Sequence, residues 1–78
     1  MSEHPTAACH AWHISKHKLT MRRCWVREVA DNGTALVTFS AYSIGGMVMD
    51  GPFFDVPTAH VFLSATKAAK QLAEWAGP

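Results

Sequence analysis

"CWVREVADNGTALVTF", from Cys24 to Phe39, is the stretch that decides the fold. Two runs rich in β-branched and aromatic residues flank Asp31-Asn32-Gly33. Asn and Gly tolerate the positive φ angles of a tight turn, so the stretch predicts a β-hairpin. Successive residues of the second run should point to opposite sides of a strand, with Ala35, Val37, Phe39 and Ala41 on one side. We expect its side with Val37 and Phe39 to pack against a helix.

The end of the chain, SATKAAKQLAEWAGP, has the periodicity of an amphipathic helix. Alanines recur at helical spacing together with Leu72 and Trp75, and polar residues occupy the opposite side. Ser64 is a suitable N-cap, and Gly77-Pro78 is a suitable stop. The pattern predicts a helix from Ala65 to Ala76.

The remaining segments complete a predicted sheet. Gly45-Gly46 permits a second reversal, Met47 to Asp50 can form a third strand, and Pro57 predicts an irregular stretch before the helix. Near the start, AWHIS predicts a short strand or extended arm, although TAACHAWHI also fits a helical turn capped by Thr6. We therefore expect one small α+β domain over residues 1–78. It has an antiparallel sheet of three or four strands, with one C-terminal helix packed on one face.

Composition is that of a globular protein, with 49% hydrophobic and 17% charged residues. The longest apolar runs fall far short of the roughly 20 residues of a membrane-spanning helix, so no membrane association is expected. The first residues show no basic segment followed by an apolar one, so we expect no secretory signal. The expected location is cytoplasmic, where Cys9 and Cys24 stay reduced.

Residues 9–18, CHAWHISKHK, combine cysteine and histidine, the ligand types that zinc prefers. The spacing matches no closed zinc site, and no CxxC pair supplies half of one. Cys24 and His60 could complete a site only if the fold happened to bring them close. The sequence also holds no nucleophile elbow, no phosphate-binding glycine loop and no HExxH. We expect no metal, no cofactor and no enzymatic activity.

A basic run, KHKLTMRRCWVR, is the strongest sign of nucleic-acid binding. Basic side chains can follow phosphates, and an interleaved aromatic ring can stack on a base. The formal net charge of only +1 is low for a dedicated nucleic-acid binder. An edge strand protected by charge is the plainer interpretation. The candidate nucleic-acid-binding residues are Lys16, Lys18, Arg22, Arg23, Trp25 and Arg27.

Charge is distributed unevenly along the chain. Residues 1–27 sum to +4, residues 28–66 to −4, and residues 67–78 to +1. The acidic part contains MVMDGPFFD, in which bulky apolar residues surround aspartates, as in many protein-binding patches. The alternative is that these apolar residues form core and the aspartates lie in turns. The candidate partner-binding residues are Glu28, Asp31, Met49, Asp50, Phe53, Phe54 and Asp55.

The hairpin, the MVMDGPFFD stretch and the alanine-rich ending ATKAAKQLAEWAGP together resemble small phage-encoded anti-CRISPR proteins. The resemblance implies a stoichiometric, non-enzymatic inhibitor in the cytoplasm of a bacterial host. Edge strands of so small a sheet could pair with those of a second copy, so the sequence is compatible with a monomer or a homodimer. The partner of such an inhibitor is then a subunit of a CRISPR effector, either a Cascade-type complex or a Cas nuclease, at a nucleic-acid-binding surface. Acidic side chains stand in for phosphate in many such inhibitors. The basic N-terminal third departs from that pattern, so any mimicry is local. In this chain, the acidic residues that could take the place of phosphate are Glu28, Asp31, Asp50 and Asp55.

Overall fold

The computed structural model describes residues 3–39, 42–44, 47–49 and 52–77. In this part of the chain, the β-strands precede a single α-helix at the C-terminal end. The elements are β1 (Cys9–Ser15), β2 (Thr20–Val29), β3 (Thr34–Thr38), β4 (Tyr42–Ile44), β5 (Met47–Met49), β6 (Phe54–Pro57), a 3-10 turn (Thr58–His60), β7 (Val61–Phe62) and α1 (Ala65–Ala76).

The predicted hairpin is confirmed as β2 and β3. The Ala30 N–H donates to the Thr34 carbonyl at 2.8 Å, and Gly33 has φ +87°, a value that favours glycine. The Asn32 side-chain oxygen accepts hydrogen bonds from the backbone N–H (3.2 Å) and the hydroxyl (2.7 Å) of Thr34. The pairing shifts by one residue between Val26 and Glu28, which makes Arg27 the extra residue of a β-bulge.

Five strands form one antiparallel sheet in the order β6-β3-β2-β1-β7, and β4 pairs with β5 in a separate two-stranded sheet. The α+β class is confirmed, but the predicted number of three or four strands in the sheet is too low. Pro57 does not prevent a strand, because β6 is an edge strand in which a missing N–H is tolerated. The N-terminal segment forms β1, so its strand interpretation is confirmed over the helical turn.

The sheet is curled. Only the 3-10 turn connects Pro57, at the end of β6, to Val61, at the start of β7. In a flat sheet these two edge strands lie four strand spacings apart, about 19 Å. Four residue steps of fully extended chain reach at most about 14 Å. The two edges must therefore approach each other, and one face of the sheet becomes an interior.

This interior holds the larger hydrophobic cluster. The expectation that the side of β3 with Val37 and Phe39 packs against the helix is wrong. That side points into the curl, where Val37 is fully buried and Val56 of one edge strand packs in the same cluster as Val61 of the other. The buried members are Ala11, Cys24, Val26, Ala35, Val37 and Val61.

The helix packs on the outer face of the sheet, mainly on β1, β2 and β7. Its predicted bounds are confirmed: the Ser64 hydroxyl oxygen accepts from the Lys67 N–H at 3.4 Å, and Gly77 ends the helix with φ +78°. Ile14, Phe62 and Ala68 are buried at this contact. No helix in the part of the chain that the structure describes is long and apolar enough to cross a membrane.

The N-terminal arm protects the outer edge of β7. The Leu63 N–H donates to the Glu3 carbonyl at 2.9 Å, and His4 Nδ1 donates to the Val61 carbonyl at 2.9 Å. An exposed edge strand offers free backbone groups to other chains, so this arm limits unwanted strand pairing.

Candidate functional site

Beyond the helix, the outer face of the sheet carries a surface that we call the open surface. Register and alternation place its members on the same face, because residues directly opposite each other on antiparallel strands point to the same side. Trp25 and Leu36 are half-buried, and the other members are exposed. The open surface consists of His10, Arg23, Trp25, Glu28, Leu36 and Asp55.

Two carboxylates line up across the open surface. Leu36 on β3 lies opposite Glu28 on β2 and opposite Asp55 on β6. The backbones of these two acidic residues are therefore two strand spacings apart, about 10 Å. Antiparallel pairing thus brings two acids that are distant in sequence to either side of one apolar side chain.

The basic side chains of the sheet region lie over aromatic rings rather than beside these acids. Such cation–π contacts hold a charged group in place without neutralising it. The contacts are Arg22 over Phe39 at 4.4 Å, Arg23 over Trp12 at 5.5 Å, Arg27 over Phe53 at 5.1 Å and Lys16 over Trp75 at 5.8 Å, each measured to the ring centroid.

Glu28 and Asp55 form no ion pair within residues 3–39 and 52–77. The ion pair found in those ranges joins Lys67 to Glu3 at 3.7 Å. All seven lysines and arginines of the chain lie in the same ranges, so none of them neutralises the two acids. The carboxylates remain available to a cation from another molecule.

Trp25 forms the other half of the open surface. The ring of His10 meets the Trp25 ring edge-on, with 4.9 Å between centroids. These side chains and Arg23 line a shallow cleft of about 260 Å³, together with the buried Thr38. The cleft can receive a side chain or a planar group, and it offers one cation.

The structure brings together part of the predicted partner-binding set. Glu28 and Asp55 share the open surface, and Phe53 adjoins it through Arg27. Phe54 lies opposite Val37 and is 49% exposed, with its ring 6.0 Å from that of Phe39. The remaining members lie elsewhere: Asp31 is in the hairpin turn, the backbone of Met49 is in β5 while its side chain is outside what the structure describes, and Asp50 lies outside the described residues.

The predicted nucleic-acid-binding set is divided between two faces. Arg23, Trp25 and Arg27 lie on or beside the open surface, whereas Arg22 lies opposite His13 on the face that curls inward. Lys16 and Lys18 are in the turn between β1 and β2. Strand alternation is the cause, since neighbouring residues point to opposite faces.

Sequence reasoning missed Leu36 and His10. The alternation of β3 carried the signal for Leu36, because Leu36 alternates with two residues that turn out to be buried, Ala35 and Val37. No local signal identified His10, whose role depends on the pairing of β1 with β2 opposite Trp25.

The cysteines show no features of a reactive site. Burial raises the pKa of the Cys24 thiol to about 11, and burial also raises the pKa of Cys9. Both thiols are free and stay protonated at neutral pH, which makes them poor nucleophiles. Within the described ranges, no group of three or more His, Cys, Asp or Glu side chains is arranged to hold a metal ion.

The open surface is therefore the strongest candidate site, with two unneutralised acids, ring-bound arginines and a half-buried tryptophan. Comparisons of the chain with protein-family models, with curated proteins and with solved structures find no match.

Proposed function

We propose that this protein is a non-enzymatic inhibitor that binds a protein partner through the open surface. The observation that carries the proposal is the pair Glu28 and Asp55, which flank Leu36 and have no cation partner among the seven lysines and arginines. Unneutralised acids at a surface attract a basic partner and speed its encounter. The partner's contact region is accordingly basic.

Apolar and aromatic groups on the same surface supply adhesive area. Trp25 and Leu36 are half-buried, so each still presents apolar surface that a partner can cover. Tryptophan and arginine are the residue types most often found at the energetic centre of protein interfaces. Arg23 and Arg27 are already held over aromatic rings, which lowers the entropy lost when a partner immobilises them.

The resemblance to anti-CRISPR proteins suggests the class of partner. A CRISPR effector binds nucleic acid on a positively charged surface. Two exposed carboxylates about 10 Å apart at the backbone match such a surface in sign. We therefore propose a subunit of a CRISPR effector complex, or a Cas nuclease, as the partner in the bacterial cytoplasm.

A nucleic-acid-binding function is the second candidate, because Arg23, Trp25 and Arg27 lie together on or beside the open surface. Arginine can contact phosphate, and tryptophan can stack on a base. Glu28 and Asp55 count against it, since both would repel a phosphate backbone crossing the same surface.

A phage-plating assay tests the proposal. Bacterial strains that each carry one CRISPR system and a matching target phage are made to express the protein. We expect the protein to restore plating in at least one strain. Asp55→Lys should abolish the effect, and Glu74→Lys, on the exposed side of α1, should not. Failure to restore plating in every strain, or equal activity of both variants, would contradict the proposal.

A gel-shift assay tests the second candidate. Single- and double-stranded DNA and RNA are incubated with the protein at low salt. Binding that weakens steeply with added salt would favour the nucleic-acid function. The proposed inhibitor should not retard any of them.

A further inference from the structure

The cleft on the open surface lies where a long strand continues past the end of its neighbour. β2 pairs with β1 as far as Thr20, whereas its pairing with β3 ends at Trp25, which lies opposite Thr38. Beyond that pair, β2 has no neighbour on the β3 side among the strands that the structure describes. The step leaves a hollow of about 260 Å³, which we call the Trp25 cleft.

Packing of the helix fixes the position of Arg23, the arginine that lines this cleft. Trp12 lies opposite Phe62 on β7 and packs against the contact between sheet and helix. The Arg23 guanidinium lies over this anchored ring, with its central carbon 5.5 Å from the ring centroid. A guanidinium stacked on a ring keeps N–H groups at its edge, and these can donate two parallel hydrogen bonds to a carboxylate. Arg23 is therefore a positioned donor for an anion.

The arginine has no acidic partner of its own. Within residues 3–39 and 52–77, no carboxylate forms an ion pair with Arg23. Along the outer face of β2, the next acid is Glu28, and Trp25 lies between the two, two pairing positions from each. Four positions of strand span about 13 Å at the backbone. An anion bound at Arg23 is therefore separated from Glu28 by the Trp25 position.

Trp25 and His10 form the walls of the cleft. Trp25 is half-buried and His10 is exposed, and their ring centroids are 4.9 Å apart. The apolar indole can cover the methylene groups of an entering side chain, and the imidazole adds an N–H donor. An apolar wall with a few positioned polar groups is typical of a binding site. The donors of this cleft match a carboxylate.

We propose that the Trp25 cleft binds the carboxylate of an aspartate or glutamate side chain of the protein partner. The inference rests on the proposed function and adds a second charge to the partner's contact region. That region then has a basic group at Glu28 and Asp55 and an acidic group at Arg23. Two sites of opposite charge fix the orientation of the partner, because the reversed orientation brings like charges together.

An NMR titration of the protein alone tests the cleft. The probe is N-acetyl-glutamate α-amide, and the control is N-acetyl-glutamine α-amide, which has nearly the same shape without the charge. Sodium chloride keeps the ionic strength constant, and Trp25→Phe assigns the indole signal. We expect saturable shifts at the Trp25 indole and the Arg23 guanidinium with the glutamate probe, and at least about tenfold weaker binding of the glutamine control. Equal shifts with the two compounds would overturn the proposal.

Matched variants locate the binding. Arg23→Gln should weaken binding of the glutamate probe about tenfold or more, since charge-assisted hydrogen bonds are lost. Lys70→Gln, on the exposed side of α1, should leave it unchanged. Arg23→Lys, which keeps the charge but not the paired donors, provides a second test if Arg23→Gln does not keep the wild-type amide spectrum, and it should bind several-fold more weakly. Equal binding by the Arg23 variants and Lys70→Gln would overturn the site.

A short oligothymidylate tests the other possible occupant. Tighter binding of the oligonucleotide than of the glutamate probe, with a steep salt dependence, would assign the cleft to nucleic acid and overturn the proposal. These titrations need no effector complex, so their failure is distinct from that of the proposed function. A plating effect that depends on Asp55 without glutamate binding would overturn the carboxylate site alone. Glutamate binding without any plating effect would support the site and contradict the proposed function.

Discussion

Glu28 on β2 and Asp55 on β6 face the same residue, Leu36, from opposite sides of β3. Neither acid is neutralised by a lysine or arginine of the chain, because the arginines nearby lie over aromatic rings instead. This arrangement separates the surface charges from the interactions that hold the fold together. Changes to the two acids should therefore alter binding much more than stability.

Removing either acid should leave stability almost unchanged. For Glu28→Gln and Asp55→Asn, we expect changes of less than about 0.5 kcal/mol in the free energy of unfolding, as is typical of exposed side chains without partners. Urea unfolding followed by circular dichroism provides the measurement. A loss of about 2 kcal/mol or more in either variant would show that the acid has a structural role.

Substitutions at the contact between sheet and helix should lower the free energy of unfolding far more than loss of either acid. Ile14 is fully buried against Phe62 and Ala68, whereas Leu63 is 47% exposed. Ile14→Ala should cost about 2–5 kcal/mol, because it removes buried apolar surface and leaves a cavity. Leu63→Ala should cost less than about 1 kcal/mol. Similar losses in the two variants, measured by urea unfolding, would contradict the packing of α1 on the outer face.

Acid should weaken the fold through the two half-buried histidines. The folded-state pKa values of His13 and His60 are lowered, so the unfolded chain takes up protons first as the pH falls. Their contribution to stability is therefore complete above the unfolded pKa of about 6.5 and decreases below it. We expect a lower urea midpoint at about pH 5.5 than at about pH 7.5, in a buffer without phosphate.

Two glutamine variants test whether His13 contributes to this pH dependence. His13→Gln should reduce this pH dependence, because one of the two half-buried rings that resist protonation is gone and His60 remains. His17→Gln, exposed in the turn between β1 and β2, is the matched control and should retain the dependence. A pH profile that is the same in both variants would remove His13 from the explanation.

Thiol reagents should distinguish the two cysteines. The pKa of the buried Cys24 thiol is about 11, so at a pH three units below that value only roughly one protein molecule in a thousand has this thiol ionised. We expect a disulfide reagent to modify half-buried Cys9 first in the folded protein and Cys24 only after denaturant is added. Mass spectrometry of digested samples assigns each site. Equal rates in the folded state would contradict the burial of Cys24.

Elements encoded by local signals could be predicted from the sequence. The helix has its N-cap at Ser64, its periodicity and its glycine stop within one segment, and its bounds agree with the structure. The hairpin likewise carries its turn residues, Asn32 and Gly33, between its strands. The short edge strands β6 and β7 depend on partners elsewhere in the chain, so no local pattern distinguished them from loops.

The curl of the sheet had the largest effect on what could not be predicted. The curl buries Val37 inside the sheet rather than under the helix. No local pattern indicates the curl, which follows from the short connection between β6 and β7. Charge is separated along the sequence, yet pairing of β2 with β3 and of β3 with β6 places Arg23, Glu28 and Asp55 on one surface. The ring contacts of the arginines also join residues distant in sequence, and composition alone cannot indicate them.

The most direct test of the proposed function measures binding to a CRISPR effector complex that the protein inhibits, with acidic and basic variants in parallel. The double variant Glu28→Lys with Asp55→Lys should bind at least about tenfold more weakly, since close charge pairs at interfaces couple by more than 1 kcal/mol. Lys70→Glu, a charge reversal on the exposed side of α1 and outside the open surface, should bind as tightly as the wild type. Full binding by the acid-reversed variant, or an equal loss of binding by Lys70→Glu, would contradict the account.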